Sequence, residues 1–345
     1  MHAIQGKPVV QVTRGDLVES VHNVAACALT AGGDVLLSLG DIETPVFLRS
    51  AAKPFIAAAA IERGVREAFD LSMQEIAVMS ASHTGQQFHV EAVRSILKKT
   101  GLDESALQCG PHYPYNEAAS RQMVRDGEPA TRVHNNCSGK HAGILALCTL
   151  LGASIDSYLE PSNPAQEHIL AFCARLSDDD PSVWPLGIDG CGIPVYATGL
   201  RKAALAFARF GSLTGVAGRD AAALLVVRDA MVSYPDYVAG TEEFDSELMK
   251  AGGGSIASKV GAEGVHCVSI IPRGIGFASK VVDGAGRARP PFTIAALHAL
   301  GCLDGRGVTD LSAFAHPIMY NRAGRAIGEI RVTPDFAIEE ASSRT

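Results

Sequence analysis

The chain has no surplus of positive charge. Its 30 lysines and arginines are outnumbered by 37 aspartates and glutamates, giving a formal net charge of −7. That balance argues against a broad nucleic-acid surface and against a polybasic membrane patch. Long apolar runs are also missing. Stretches such as 144–151 fall well short of the ~20 residues that a membrane-crossing helix needs. The first residues, Met1-His-Ala-Ile-Gln-Gly-Lys, lack the charged-then-apolar pattern of a secretory signal, so the expected location is the cytoplasm. No internal repeat is visible, and no linker is rich enough to separate independent domains. A single domain over 1–345 is therefore expected.

What is present suits a compact core: 47% of residues are hydrophobic and 19% charged. There are eight cysteines. In a long chain of cytosolic character they read as free thiols or a metal site rather than a disulfide framework. Cys27, Cys148, Cys173 and Cys267 have apolar neighbours and read as core. Cys137 and Cys191 lie in glycine-rich polar loops and read differently.

Strands are expected over 8–14, 21–30 and 35–39, the last two joined by an Ala-Gly-Gly-Asp hairpin turn at 31–34. Helices are expected over 51–61, 87–100, 142–151, 163–176, 199–210 and 217–233. Two strands, 265–271 and 276–282, and a helix over 293–300 follow, with the remaining tail peripheral. Strands at both ends and helices between them, about 65–250, give an α+β mixed class. The terminal strands would pair in one antiparallel sheet with the helical middle packed beside it. That arrangement would bring the glycine-rich 252–264 stretch next to the helix that begins at Ser50.

Four polar knots stand out. Ser50-Ala-Ala-Lys53 places a hydroxyl and an amine on one helix face. A lysine titrating near ~10.4 is a poor base, but burial or a second cation lets it lose its proton and accept one from serine. Ser80-Ala-Ser82-His83-Thr84-Gly85 supplies a second hydroxyl. Lys259, ending the glycine-rich stretch, would disfavour protonation of Lys53 if close, with Lys250 and Lys280 as rivals for that part. Backbone N–H groups at the start of the Ser50 helix are candidates for an oxyanion hole.

The fourth knot is His134-Asn-Asn-Cys137-Ser-Gly-Lys140-His141. Its helix start suits an anion, and Cys137 with Cys191 suits a soft metal such as zinc. By spacing, His134 or His141 would complete a metal set. A reduced thiol in a tight turn is the plainer alternative.

Taken in order, these segments resemble the bacterial L-asparaginase II family, of the Rhizobium etli inducible type. The matching stretches are Phe-Leu-Arg-Ser-Ala-Ala-Lys-Pro-Phe (47–55), Ser-Ala-Ser-His-Thr-Gly (80–85), Asn-Asn-Cys-Ser-Gly-Lys-His-Ala-Gly (135–143) and Asp-Gly-Cys-Gly-Ile-Pro (189–194). Gly-Thr-Glu-Glu-Phe-Asp (240–245) and Lys-Val-Gly-Ala-Glu-Gly (259–264) also match.

The resemblance implies hydrolysis of L-asparagine to L-aspartate and ammonia by a homodimer with a serine β-lactamase/glutaminase-like fold. It implies two Ser-Lys pairs, Ser50 with Lys53 and Ser82 with Lys259. It further implies a zinc ion held by Cys137, Lys140 and Cys191, in place of a histidine. Asp189 and His141 become substrate-side candidates, and Arg49, beside the nucleophile, a partner for the substrate carboxylate. The competing readings are a glutaminase, a β-lactamase-like serine hydrolase, and a non-catalytic zinc-thiolate sensor.

Overall fold

A computed structural model describes residues 3–334 and 336; Met1, His2 and the last residues of the tail lie outside the described residues. The chain divides into two compact units, one of residues 1–51, 197–215 and 247–345, the other of 52–196 and 216–246.

The first unit is built on an eight-stranded antiparallel sheet. Its strands run in the order Ile318–Tyr320, Ala326–Val332, Lys7–Arg14, Leu17–Thr30, Ile275–Val281, Val265–Ile270 and Ile256–Val260, with Val35–Leu39 also paired to Leu17–Thr30. The expected sheet of N- and C-terminal strands is present. The hairpin at 31–34 closes as expected, with the Thr30 N–H donating to the Asp34 carbonyl. Residues 24–29 are buried without alternation because the sheet is covered on both faces.

Strand alternation separates the two faces. Ser269 and Gly276, which pair across neighbouring strands, face the helix Leu200–Ser212. A Cβ on Gly276 would lie 1.8 Å from the Ala204 carbonyl oxygen, so only glycine lets this helix approach. His266, on the opposite face, meets Thr293 of the helix Arg289–Ala299 through Nδ1 and Oγ1 at 2.8 Å.

Two sequence expectations are corrected here. The stretch after residue 300 is not simply peripheral: Ala326–Val332 pairs with Lys7–Arg14 inside the sheet. The end of the glycine-rich stretch is a strand, Ile256–Val260, paired with Val265–Ile270.

The second unit is mainly helical. Lys53–Glu62 packs against Ser138–Leu151, Pro164–Ser177 and Gly218–Ser233. The stretch before Ser80 forms one helix, Met73–Met79. A capping box starts it: the Ser72 N–H donates to Glu75 Oε2 at 2.6 Å, and the Glu75 N–H to Ser72 Oγ at 3.3 Å.

The helix expected over 142–151 begins earlier, at Ser138. Its first turn is polar in sequence yet buried, because Gly139 and Gly143 press it onto Val78 and Met79. Those glycines therefore serve close packing.

Candidate active site

The candidate residues form two groups, one in each unit. In the sheet unit, the strand Val46–Phe47 leads through Leu48 into a tight helical turn, Arg49–Ala52. Arg49 has φ 53°, a left-handed backbone that a side chain with a Cβ adopts only at some cost. The strained residue directly precedes Ser50, which is half-buried. The Ala51 N–H donates to the Leu48 carbonyl at 3.0 Å, so this candidate donor for an oxyanion hole is already engaged. Ser50 lies in this turn, ahead of the α-helix that begins at Lys53.

The strand bearing Lys259 ends against the same turn. A Cβ on Gly261 would lie 2.5 Å from the Leu48 carbonyl oxygen, so the two backbones touch there. Arg289 holds that end of the strand by donating to the Gly261 carbonyl at 2.7 Å. The expected approach of the 252–264 stretch to the Ser50 segment is thus present. Lys259 is fully buried, and its Nζ donates to the Val260 carbonyl at 3.0 Å. The rival lysines are engaged elsewhere. Lys250 pairs with Glu247 at 2.9 Å, and Lys280 donates to the Glu263 and Val281 carbonyls.

In the helical unit, Lys53 is the first residue of its helix and is completely buried. Its Nζ donates to the Ala81 carbonyl at 2.6 Å and to Ser82 Oγ at 2.9 Å, and reaches the Asn136 carbonyl at 3.5 Å. This bond joins one member of each expected Ser-Lys pair. Burial pushes the Lys53 amine below its ordinary value; Cys137 opposes that shift and the Lys140 charge adds to it. A lysine so placed is nearer to a usable base than one in water.

Lys140, Cys137 and Cys191 converge in the same unit. Lys140 Nζ donates to Cys191 Sγ at 3.0 Å. The Cys137 thiol is held well below its usual range by a hydrogen bond from Cys191, with the Lys53 and Lys140 charges assisting. Cys191 is driven up by the same bond and by burial. The two thiols are coupled through this bond, and the Lys140 charge favours thiolate character in both. Burial alone would lower Lys140, but the two sulfurs and Asp189 more than offset it, and Lys140 is raised.

Cys191 is presented by a turn in which the Asp189 N–H donates to the Ile193 carbonyl at 2.9 Å and the Gly192 N–H to the Asp189 carbonyl at 2.8 Å. Among the described residues, no three His, Cys, Asp or Glu side chains gather to hold a metal. The cluster that does form is two thiols and an amine.

The histidines nominated by spacing have other duties. His134 Nδ1 accepts the Thr131 N–H at 3.0 Å. The Tyr158 hydroxyl accepts from the Gln108 N–H at 2.8 Å and meets His141 Nδ1 at 2.6 Å. The phenol's own hydrogen needs an acceptor, and among the described residues that acceptor is His141 Nδ1, which leaves the hydrogen of a neutral His141 on Nε2. That Nε2 is buried and has no hydrogen-bond partner. His141 is accordingly an unused donor rather than a lone-pair ligand.

Sequence reasoning missed Tyr158, the pairing of His83 with Ser138, and the pinning of the 135–137 turn. In that turn Asn135 Oδ1 accepts the Cys137 N–H at 2.8 Å, and the Asn136 N–H donates to His112 Nε2 at 2.9 Å. The adjacent asparagines, residues that favour side-chain-to-backbone turns, were the available signal.

A profile of the L-asparaginase II family matches residues 10–332. The chain belongs to the L-asparaginase II family. The match spans both units. No curated protein matches the sequence.

Among solved structures, Mglu in its native form in the presence of 4.3 M NaCl is 14% identical, over 85% of this chain and 60% of that one, with TM-score 0.35. Mglu in its glutamate form is 15% identical, over 82% of this chain and 62% of that one, with TM-score 0.34. The chain spans about three fifths of those two structures' length. At that distance neither likeness bears on the chemistry. As for membranes, no helix among the described residues is long and apolar enough to cross one.

Proposed function

We propose that this member of the L-asparaginase II family is an L-asparaginase of the inducible type. It hydrolyses L-asparagine to L-aspartate and ammonia through a serine-bound acyl intermediate, as a cytoplasmic homodimer with no nucleic-acid or membrane partner. The observation that carries the reading is the buried Lys53 amine held against Ser82 Oγ, in a chain of this family. A lysine whose amine is depressed by burial, set beside a hydroxyl, is the arrangement that activates serine without histidine.

Ser50 is the nucleophile in this reading. Its Oγ attacks the side-chain amide carbon as Lys53 takes its proton. Lys259 adds positive charge that keeps Lys53 from holding a proton permanently, and Ser82 relays the proton that departs with ammonia. Water then cleaves the aspartyl ester. Arg49 answers the substrate carboxylate, and Asp189 suits the ammonium. His141, with its unpaired buried Nε2–H, suits a substrate oxygen. The expected result is rapid ammonia release from L-asparagine, slower release from L-glutamine, and no β-lactam hydrolysis. One methylene is worth only ~1–3 kcal/mol in discrimination, so the glutamine arm is informative. Redox-linked metal release without any amidase activity would instead favour the sensor reading.

The donor set fits zinc: Cys137 already carries thiolate character, and Cys191 and Lys140 lie in the same buried cluster. Lys140 must release its proton to ligate, so binding is coupled to deprotonation. A bound zinc would supply a positive pole that orients the substrate, while the nucleophile comes from serine. Elemental analysis of the purified protein should find zinc, and Cys137→Ala with Cys191→Ala should lose it. Metal content unchanged by the double substitution would remove the site.

A further inference from the structure

His83 is completely buried, lies next to Ser82 in sequence, and has no part in the reaction above. Its Nε2 meets Ser138 Oγ at 2.8 Å. Ser138 is the first residue of the helix that carries Lys140 and His141. A buried serine-histidine pair suggests a nucleophile and its base, but the hydrogen-bond directions exclude that role. The Gly85 N–H, which can only donate, points at His83 Nδ1 at 3.2 Å. Nδ1 is therefore an acceptor, and the hydrogen of the neutral ring sits on Nε2. Nε2 donates to Ser138 Oγ, and the Ser138 hydroxyl donates onward to the Val133 carbonyl at 2.8 Å. Every hydrogen in the chain is committed, and no lone pair on Nε2 remains to take a proton from serine. Burial, with the His89 and Lys53 charges assisting, pushes the imidazole well below its ordinary value, which agrees with a permanently neutral ring.

The bond therefore holds two segments in register. On one side is the Ser82 loop, whose N–H donates to the Val238 carbonyl at 3.0 Å, followed by Thr84 donating to the Ala239 carbonyl at 2.9 Å. On the other side is the 133–138 turn, whose Asn136 carbonyl accepts the His83 N–H at 3.2 Å. Lys53 touches the same two segments through Ala81, Ser82 and Asn136. The ring is further clamped by stacking on His89, centroids 4.9 Å apart, while His89 Nε2 donates to the Asp236 carbonyl at 2.8 Å.

We propose that His83, acting through Ser138, is a positioning residue. Its neutral ring sets the spacing between the Ser82 loop and the turn that bears Cys137 and Lys140, and with it the acceptors that Lys53 reaches. The inference rests on the proposed reading of this site as the amidase centre. A displacement of about 1 Å in reacting groups costs as much as ~100-fold in rate.

Accordingly, Ser138→Ala and His83→Leu are expected to lower kcat for asparagine about 10–100-fold with KM changed far less. His83→Gln, whose side-chain amide retains a donor near Nε2, should recover most of the loss. Thermal melts identify any variant that has failed to fold. If His83→Leu fails, Ser138→Ala, which removes a single oxygen, still decides. Folded variants with wild-type kcat, or a His83→Gln no better than His83→Leu, would overturn the inference. A second readout needs no activity. Nitrogen-15 NMR of the wild-type ring should show the neutral tautomer with hydrogen on Nε2, unchanged from about pH 5 to 8, where an ordinary histidine titrates. A His83 that titrates in that window overturns the inference. A wild type inactive on asparagine but with the locked tautomer overturns the function and leaves the lock standing.

Discussion

Ser50→Ala should release essentially no ammonia from L-asparagine, a loss of about 10³–10⁴-fold or more, while melting like the wild type. The substitution removes one oxygen from a half-buried position in a turn whose backbone bond, Ala51 N–H to the Leu48 carbonyl, does not involve that oxygen. Structural cost should therefore be small. Ser82→Ala is the necessary comparison, because Lys53 is hydrogen-bonded to Ser82 Oγ at 2.9 Å. Ser82 is thus the alternative nucleophile. Peptide mapping after rapid acid quench with asparagine should find the added aspartyl mass on the peptide containing Ser50. An adduct on Ser82 would move the nucleophile there and leave Ser50 a supporting role. Full activity in Ser50→Ala would end the assignment.

Ser50 also shows which parts of the site were legible in the sequence. The Ser-x-x-Lys spacing located both residues, but the hydrogen bond from Lys53 to Ser82 crosses 29 positions and depends on helix packing. No local pattern announces it. The cysteines were legible as a pair because both sit in glycine-rich motifs. Their convergence with Lys140 depends on how the turn at 189–192 meets the helix Ser138–Leu151.

In the fold, the hairpin at 31–34 was readable because its turn residues are specific. The strand Ile256–Val260 was hidden by its own residues, with serine and lysine buried on opposite faces directly after a run of glycines. The strands Ile318–Tyr320 and Ala326–Val332 were hidden for a different reason: the first is only three residues long, and the second is mostly half-buried, with little alternation to announce it. In each of these cases tertiary surroundings, not local propensity, chose the strand.

Gly139→Ala should destabilise the protein by at least ~3 kcal/mol, at or beyond the upper end of ordinary overpacking, and lower activity in step. A Cβ there would lie 2.0 Å from the Val78 carbonyl oxygen and 2.7 Å from the carbonyl carbon. Both are backbone atoms in the helix Met73–Met79, so no side-chain rotation relieves the clash. Either that helix or the start of the helix Ser138–Leu151 has to move. The first leads directly to Ser80 and Ser82, and the second carries Ser138, Lys140 and His141. Gly143→Ala, one turn further along, is the control. Its Cβ would first meet the Met79 side chain, whose Cε lies at 2.8 Å. Methionine has three rotatable bonds and adapts, so this change should cost less than ~1.5 kcal/mol. The contrast between neighbouring glycines on one helix separates backbone contact from general intolerance of bulk. Thermal and urea melts of the two variants decide the matter. Equal stability of Gly139→Ala and the wild type would mean that the two helices do not meet as closely as 2.0 Å implies. The close packing that sets Ser82 beside the Cys137 turn would then lose its physical basis.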